Sequence, residues 1–192
     1  MEAAISESTS TGALLGEHLS PEFLSQILGA IYDAALNEAA WVTCLQLVRN
    51  TLGANYASLI VRHETIDDIG LIVSAGSDQS DIDPGNPHIA MSPFTGIKPD
   101  QVVTIKDVLT EVEWRASWYY RSYCAPQGVC HVLAADIATR NGGVYGFRVT
   151  RPETSPDFSQ ADIDFCRLLL PHIKRALNLH LSIHQDRKVS TL

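Results

Sequence analysis

Five large aromatics, Trp114, Trp118, Tyr119, Tyr120 and Tyr123, fall within ten residues. Trp and Tyr each couple a broad apolar face to one hydrogen-bonding atom, a combination that suits a small-molecule pocket. Residues 110–123 read as a helix. On it, Trp114 and Trp118 are four apart and share a face, and Tyr119 and Tyr123 form a second pair. One pair is expected to pack on a sheet while the other meets the long loop of residues 76–99. Met91 and Phe94, late in that loop, are expected to close a pocket mouth, with Trp118 as the foremost wall residue. The next strand carries Val132, Ala134 and Asp136 on one pleat. The small Ala134 would leave room beside the aromatics. The ligand candidates are therefore Trp114, Trp118, Tyr119, Tyr123, Met91, Phe94 and Ala134. The competing reading of the same residues is plain core or dimer packing.

No other constellation sets up chemistry. The chain has no G-x-S-x-G, P-loop or H-E-x-x-H element, so no nucleophile, phosphate cradle or zinc-protease site is expected. Cys44 and Cys166 sit on apolar helix faces as core fillers. Cys124 and Cys130 flank APQGV, as a redox-sensing pair or as simple thiols. Adjacent strand residues face opposite ways, so Cys130 and His131 do not readily ligate one ion. His180 and His184 have a metal-compatible spacing but no third ligand nearby, and a solvated helix face is the expectation. The acidic loop DQSDID lacks the distal Glu of a calcium loop. No metal, no cofactor and no enzymatic activity are expected.

The 192 residues carry 14 Lys and Arg against 22 Asp and Glu, a formal charge of −8. Phosphate contacts need clustered cations, so direct DNA binding by this chain is not expected. No apolar run reaches the roughly 18 residues of a membrane span. Residues 1–11 have neither a basic start nor an apolar core, unlike a signal peptide. With four cysteines and no C-x-x-C pair, reduced thiols in a cytoplasm are the default. The expected organisation is a mobile arm over 1–18, one domain over 19–184 and a polar tail over 185–192.

The elements that must position the aromatics are read from periodicity. Ser20 and Pro21 start a first helix, with Leu24, Leu28, Ile31 and Ala35 as its buried stripe. A second helix carries Trp41, Leu45, Val48 and Leu52, and Gly53 closes it. Residues 56–63 and 70–75 read as a β-hairpin. A short strand is expected at 102–105. Strands at 130–138 and 144–151 flank an Asn-Gly turn. Ser159 and Asp162 form a capping box that opens a long terminal helix over 159–184. Its apolar residues Ile163, Cys166, Leu170, Ile173, Leu177 and Leu181 recur at spacings of three and four. Ile173, Leu177 and Leu181 are the candidate seam of a homodimer. Pro171 removes one helical hydrogen bond and is expected to kink that helix. The order α-α-β-β-β-α-β-β-α implies an α+β domain built on an antiparallel sheet.

Four phrases carry a resemblance: ILGAIYDAALNEAAW, LGANYASLIV, SYCAPQGVCHVLAADI and FSQADIDFCRLLLPHIKRALNLHLSI. Together they make residues 20–184 similar to the N-terminal sensor region of LuxR-type helix-turn-helix transcription regulators. The resemblance implies a GAF- or PAS-like fold. It also implies a small-molecule-sensing regulatory domain, with a ligand-induced shift passed to the terminal helix. The alternative is a ligand-free dimerisation or protein-interaction module. Such regulators normally end in a helix-turn-helix module with a Leu-Thr-x-Arg-Glu start, which these 192 residues lack; contact with DNA would run only through such a module. Acyl-homoserine-lactone receptors of the wider family carry a Trp-x-x-x-Tyr element before an Asp-Pro pair. Asp83-Pro84 is present here without that element, so the resemblance does not bring that ligand with it. The ligand is unknown.

Overall fold

Capping residues set the length of the two helices that open the fold. In the computed structural model, which describes residues 20–62, 72–76, 92–94 and 96–189, α1 spans Pro21–Leu36. The Ser20 hydroxyl oxygen accepts the Phe23 N–H at 3.2 Å, and Pro21 occupies the first helical position. The buried stripe is Ile27, Ile31, Ala34 and Ala35. Leu24 and Leu28, expected in that stripe, are only half-buried, because the face turned to the core is centred on Ile27 and Ile31. Helix α2 spans Ala40–Thr51 and buries Trp41, Cys44, Leu45 and Val48. Gly53 comes just after it at φ 56°, a left-handed value that costs glycine nothing.

Strands β1 (Tyr56–Arg62), β2 (Ile72–Ala75), β3 (Val102–Thr104), β4 (His131–Ala138) and β5 (Val144–Arg151) make one antiparallel sheet in the order β2-β1-β5-β4-β3. Pleating divides its residues between two layers. Ala57, Leu59, Leu133, Ala135, Ile137, Phe147 and Val149 face a core shared with the helices. Val132 and Ala134 face a second cluster containing Phe94, Val103 and Trp114. The α+β class and the antiparallel sheet are thus as expected, with the two N-terminal helices and the long C-terminal helix on one face.

Helix α4 spans Gln160–Val189, five residues beyond the expected end at 184. Its capping box is formed: the Ser159 N–H donates to Asp162 Oδ2 at 2.7 Å, and the Asp162 N–H returns to Ser159 Oγ at 3.3 Å. Arg151 ties this end to the sheet. Its guanidinium donates to the Leu52 carbonyl at 2.9 Å and to Asp162 at 3.2 Å, and lies 4.4 Å from the Phe158 ring centroid. One side chain therefore joins the ends of α2, β5 and α4.

The homodimer seam needs correction. Ile173 and Leu177 are each 2% exposed within a single chain, packed with Cys166, Leu169 and Ala176 in the core that α4 shares with α1. Leu181 is half-buried against the same core. Tyr32 and His172 fasten the two helices with a 3.1 Å hydrogen bond. The three-four periodicity is the intramolecular face of α4, which the sheet alone does not cover. The side chains turned outward include Leu168 and Leu179, 43% and 49% exposed.

The single helix over 110–123 also needs correction. Helix α3 covers only Glu111–Ala116, and after Ser117 a π-helical turn at Tyr120–Cys124 and a 3₁₀ turn at Ala125–Gln127 lead into β4. Ser117 is the reason: its hydroxyl donates to the Trp114 carbonyl at 2.7 Å and accepts the Tyr120 N–H at 3.1 Å. A serine that bonds backbone on both sides ends one helix and starts the next turn. The expected arm over 1–18, the β1–β2 turn over 63–71 and Met91 lie outside the described residues. Among the described residues no helix is long and apolar enough to cross a membrane.

Candidate ligand pocket

The sheet face turned away from the helices carries a cavity of about 80 Å³. Its floor comes from alternate strand positions: Tyr56, Ser58 and Ile60 of β1, Val132 of β4, and Arg148 and Thr150 of β5. Its far wall is Tyr119, Tyr123, Cys124, Gln127 and Val129, from the π-helical turn and the segment that joins it to β4. Ser92 and Phe94 complete the rim.

The irregular wall explains why this cavity exists. The Tyr119 and Tyr123 rings lie with centroids 5.2 Å apart, tilted 33° to each other, and both line the cavity. Tyr119 immediately precedes the π turn and Tyr123 lies within it; π turns recur at functional sites. Trp114 serves as the anchor. It is 3% exposed, donates its indole N–H to the Cys130 carbonyl at 2.9 Å, and lies 5.0 Å from Tyr120 and 6.2 Å from Tyr119. Trp118, the expected wall, is 43% exposed and does not line the cavity.

Arg148 and Asp136 supply the pocket's electrostatics. Arg148 Nη2 donates to Asp136 Oδ1 at 2.8 Å, and the two side chains are 8% and 5% exposed. Nη1 donates to the carbonyls of Ala135 and Phe147 at 2.8 and 2.9 Å. The guanidinium lies flat along the sheet over Gly146, the residue paired with Asp136. A Cβ on Gly146 would meet the guanidinium at 3.3 Å. The Phe94 centroid is 5.5 Å from the guanidinium carbon. The Asp136 carbonyl in turn accepts the Asp100 N–H at 2.7 Å, and the Asp100 carboxylate takes a hydrogen bond from Lys174 on α4.

The other titratable walls stay neutral. Burial pushes the Tyr119 phenol well above its ordinary range, with the hydrogen bond to Ser92 opposing. Burial likewise raises Tyr123. The Cys124 thiol is pushed up to about 12, again by burial. A thiol with so little thiolate character is a poor nucleophile and a poor redox sensor. All four cysteines are free and buried. Among the described residues no cluster of three His, Cys, Asp or Glu could hold a metal ion.

Of the residues singled out from sequence, Tyr119, Tyr123 and Phe94 meet at this cavity. Trp114 supports it from behind. Ala134, 0% exposed and opposite Arg148 in the β4–β5 register, packs in the neighbouring cluster without lining the space. Sequence reasoning passed over Tyr56, Ser58, Arg148 and Thr150. Their signal was present in part: Tyr56 and Ser58 in β1, and Arg148 and Thr150 in β5, are pairs of polar side chains two residues apart, each pair on one pleat. Arg148 and Asp136, opposite charges in the middle of two apolar strands, were the plainest clue.

The ligand-binding domain of VqsR from Pseudomonas aeruginosa is similar to this chain with a TM-score of 0.62 at 11% identity, over 83% of this chain and 96% of that one. The phycoerythrobilin-bound GAF domain of a cyanobacterial phytochrome gives 0.60 at 13% identity, over 83% and 97%. The fold is GAF-like. A third solved structure, the N-acylhomoserine-lactone-dependent LuxR family transcription factor CepR2 from Burkholderia cenocepacia, gives 0.52 at 17% identity, over 84% and 97%. At such identities the likeness concerns the fold. No family model and no curated protein matches the sequence. The cavity of this GAF-like domain lies on the sheet face opposite α1, α2 and α4.

Proposed function

We propose that the chain is a non-enzymatic, ligand-sensing regulatory domain of the LuxR-regulator kind. A small molecule occupies the cavity between the sheet and the Tyr119–Tyr123 wall, and the resulting shift reaches α4. The observation that carries this reading is the cavity itself. It is a polar-dotted, aromatic-walled space on a sheet whose other face packs against the helices, with its wall on an irregular segment. The fold shared with VqsR and CepR2, described as a ligand-binding domain and as N-acylhomoserine-lactone dependent, adds support. Burial keeps the Cys124 thiol protonated, so this wall residue is a poor nucleophile.

A hydrogen-bonded route leads from the pocket floor to the terminal helix: Arg148 to Asp136, Asp136 to Asp100, Asp100 to Lys174. A ligand biases α4 only through differential affinity for two arrangements of such an element. Homodimerisation belongs to the same reading, and sedimentation of the wild-type chain tests it. Thermal denaturation across a metabolite library tests the sensor function. A ligand present at about 100 times its Kd stabilises the folded state by about 2.7 kcal/mol, a shift of several degrees for a domain this size. If no compound in a broad library raises the melting temperature, the ligand-free interaction module is the better reading.

A further inference from the structure

The chemistry of the cavity narrows what it can hold, an inference that rests on the sensor reading above. Size comes first. At about 80 Å³ the space is smaller than the ~150 Å³ apolar cavity that accepts benzene in an engineered protein. A single ring fits only by projecting through the mouth or by modest side-chain movement, and a long chain does not fit. Shape comes second. The rings of Tyr119 and Tyr123, tilted 33° to each other with centroids 5.2 Å apart, form an aromatic wall beside a floor of pleated strands, and aromatic faces suit a flat body.

Charge comes third. Among the described residues that line the cavity, the one permanently charged group is Arg148. Its charge is already met by Asp136 at 2.8 Å, and both Nη1 hydrogen bonds go to strand carbonyls. A carboxylate ligand would have to give up its hydration without an unmatched cation to receive it, which costs several kcal/mol. A cationic ligand would find aromatic faces, but it would sit beside a guanidinium already placed against Phe94. The hydroxyls of Ser58 and Thr150 and the amide of Gln127 already bond Ser74, Asn55 and the Tyr123 carbonyl, and their remaining oxygen lone pairs offer neutral hydrogen bonding instead.

We propose that the cavity selects an uncharged, compact, planar ligand, a single aromatic or heteroaromatic ring bearing hydroxyl or amide groups, over carboxylates and ammonium- or amidinium-type cations. Three near-isosteric probes test this with the whole chain: benzamide, benzoate and benzamidinium, titrated at neutral pH and tracked by backbone amide NMR. Benzamide is expected to shift the amides of Tyr119, Tyr123 and Arg148 and to bind at least about tenfold more tightly than either charged probe, since tenfold is only about 1.4 kcal/mol. Equal or tighter binding of benzoate or benzamidinium at those amides overturns the charge selection and leaves the sensor reading standing. If none of the three perturbs them, the compact-ring proposal is overturned, and the sensor reading is then judged on the library screen alone.

Discussion

At the residue scale, the pocket depends on two close-packed arrangements. The first is the Arg148–Asp136 pair. Removing one partner of a buried ion pair strands the other charge in a low-dielectric site, which typically costs 3–5 kcal/mol, whereas replacing both by apolar groups is often close to neutral. Arg148→Met is therefore expected to lose about 3–5 kcal/mol in urea denaturation. The double change Arg148→Met with Asp136→Leu should recover most of it. A single-variant loss below about 1 kcal/mol would mean that the pair is solvated like a surface bridge. The second is Gly76. A Cβ there would sit 2.1 Å from Cδ1 and 2.5 Å from Cε1 of Tyr56, so Gly76→Ala must displace a ring that walls the cavity. The expected result is a loss of about 1–3 kcal/mol from overpacking together with weakened ligand binding. Unchanged binding in that variant would show that Tyr56 is not part of the working wall.

At the element scale, α4 does two jobs with two faces. Its inner face is core, so Ile173→Asp with Leu177→Asp should abolish the cooperative unfolding transition rather than release folded monomers; unpaired buried charges are among the few causes of very large losses. Circular dichroism with sedimentation distinguishes the outcomes, and a folded monomer would restore the exposed-seam reading. The Lys174–Asp100 contact belongs to the other job. Its side chains are 34% and 43% exposed, so Lys174→Ala should cost no more than about 1 kcal/mol. The same change should reduce the effect of bound ligand on hydrogen exchange along α4. An undiminished effect would place the route elsewhere, for example through Asn178, whose side chain accepts the Arg140 N–H at 2.8 Å. The π-helical turn is the third informative element. It follows the interruption at Ser117, and the cavity is walled by Tyr119 and Tyr123 rather than by the Trp114–Trp118 pair.

At the scale of the whole molecule, burial of thiols makes alkaline stability predictable. Cys44 and Cys124 are both pushed by burial from an ordinary 9.0 to about 12. In the unfolded chain they ionise near the ordinary value; in the native protein they stay protonated until near pH 12. Between those limits the unfolded state sheds protons that the folded state keeps. Stability is therefore intact below about pH 9 and falls above it, by up to about 1.4 kcal/mol per pH unit for each such thiol. Urea midpoints should drop as pH rises through that window, and Cys44→Ala should make the drop shallower. A flat profile would mean that the thiols reach solvent. The net charge of −8 sets the remaining expectation, that this chain alone gives no DNA mobility shift below micromolar protein at physiological salt.

Much of this fold was written in local signals. Ser20-Pro21, Gly53, the Ser159–Asp162 box and the Asn141-Gly142 turn each fix a boundary through a few neighbouring atoms, so they are legible without the rest of the chain. Alternation in β1, β4 and β5 is equally local, and it implied the antiparallel α+β sheet. Periodicity also showed that α4 has an apolar face, but not what that face meets. Ile173 and Leu177 read the same whether a second chain or α1 covers them, and only the packing of α1 against α4 decided it. The cavity was decided at the same level. Its floor brings β1 beside the β4–β5 hairpin that lies far from it in sequence, its central ion pair joins residues 136 and 148, and its wall depends on a helix interrupted at Ser117. Hydrogen-bonding patterns within one turn can be read along a chain, whereas an enclosed space is defined by the surfaces around it, which come together only when the strands pair and the helices dock.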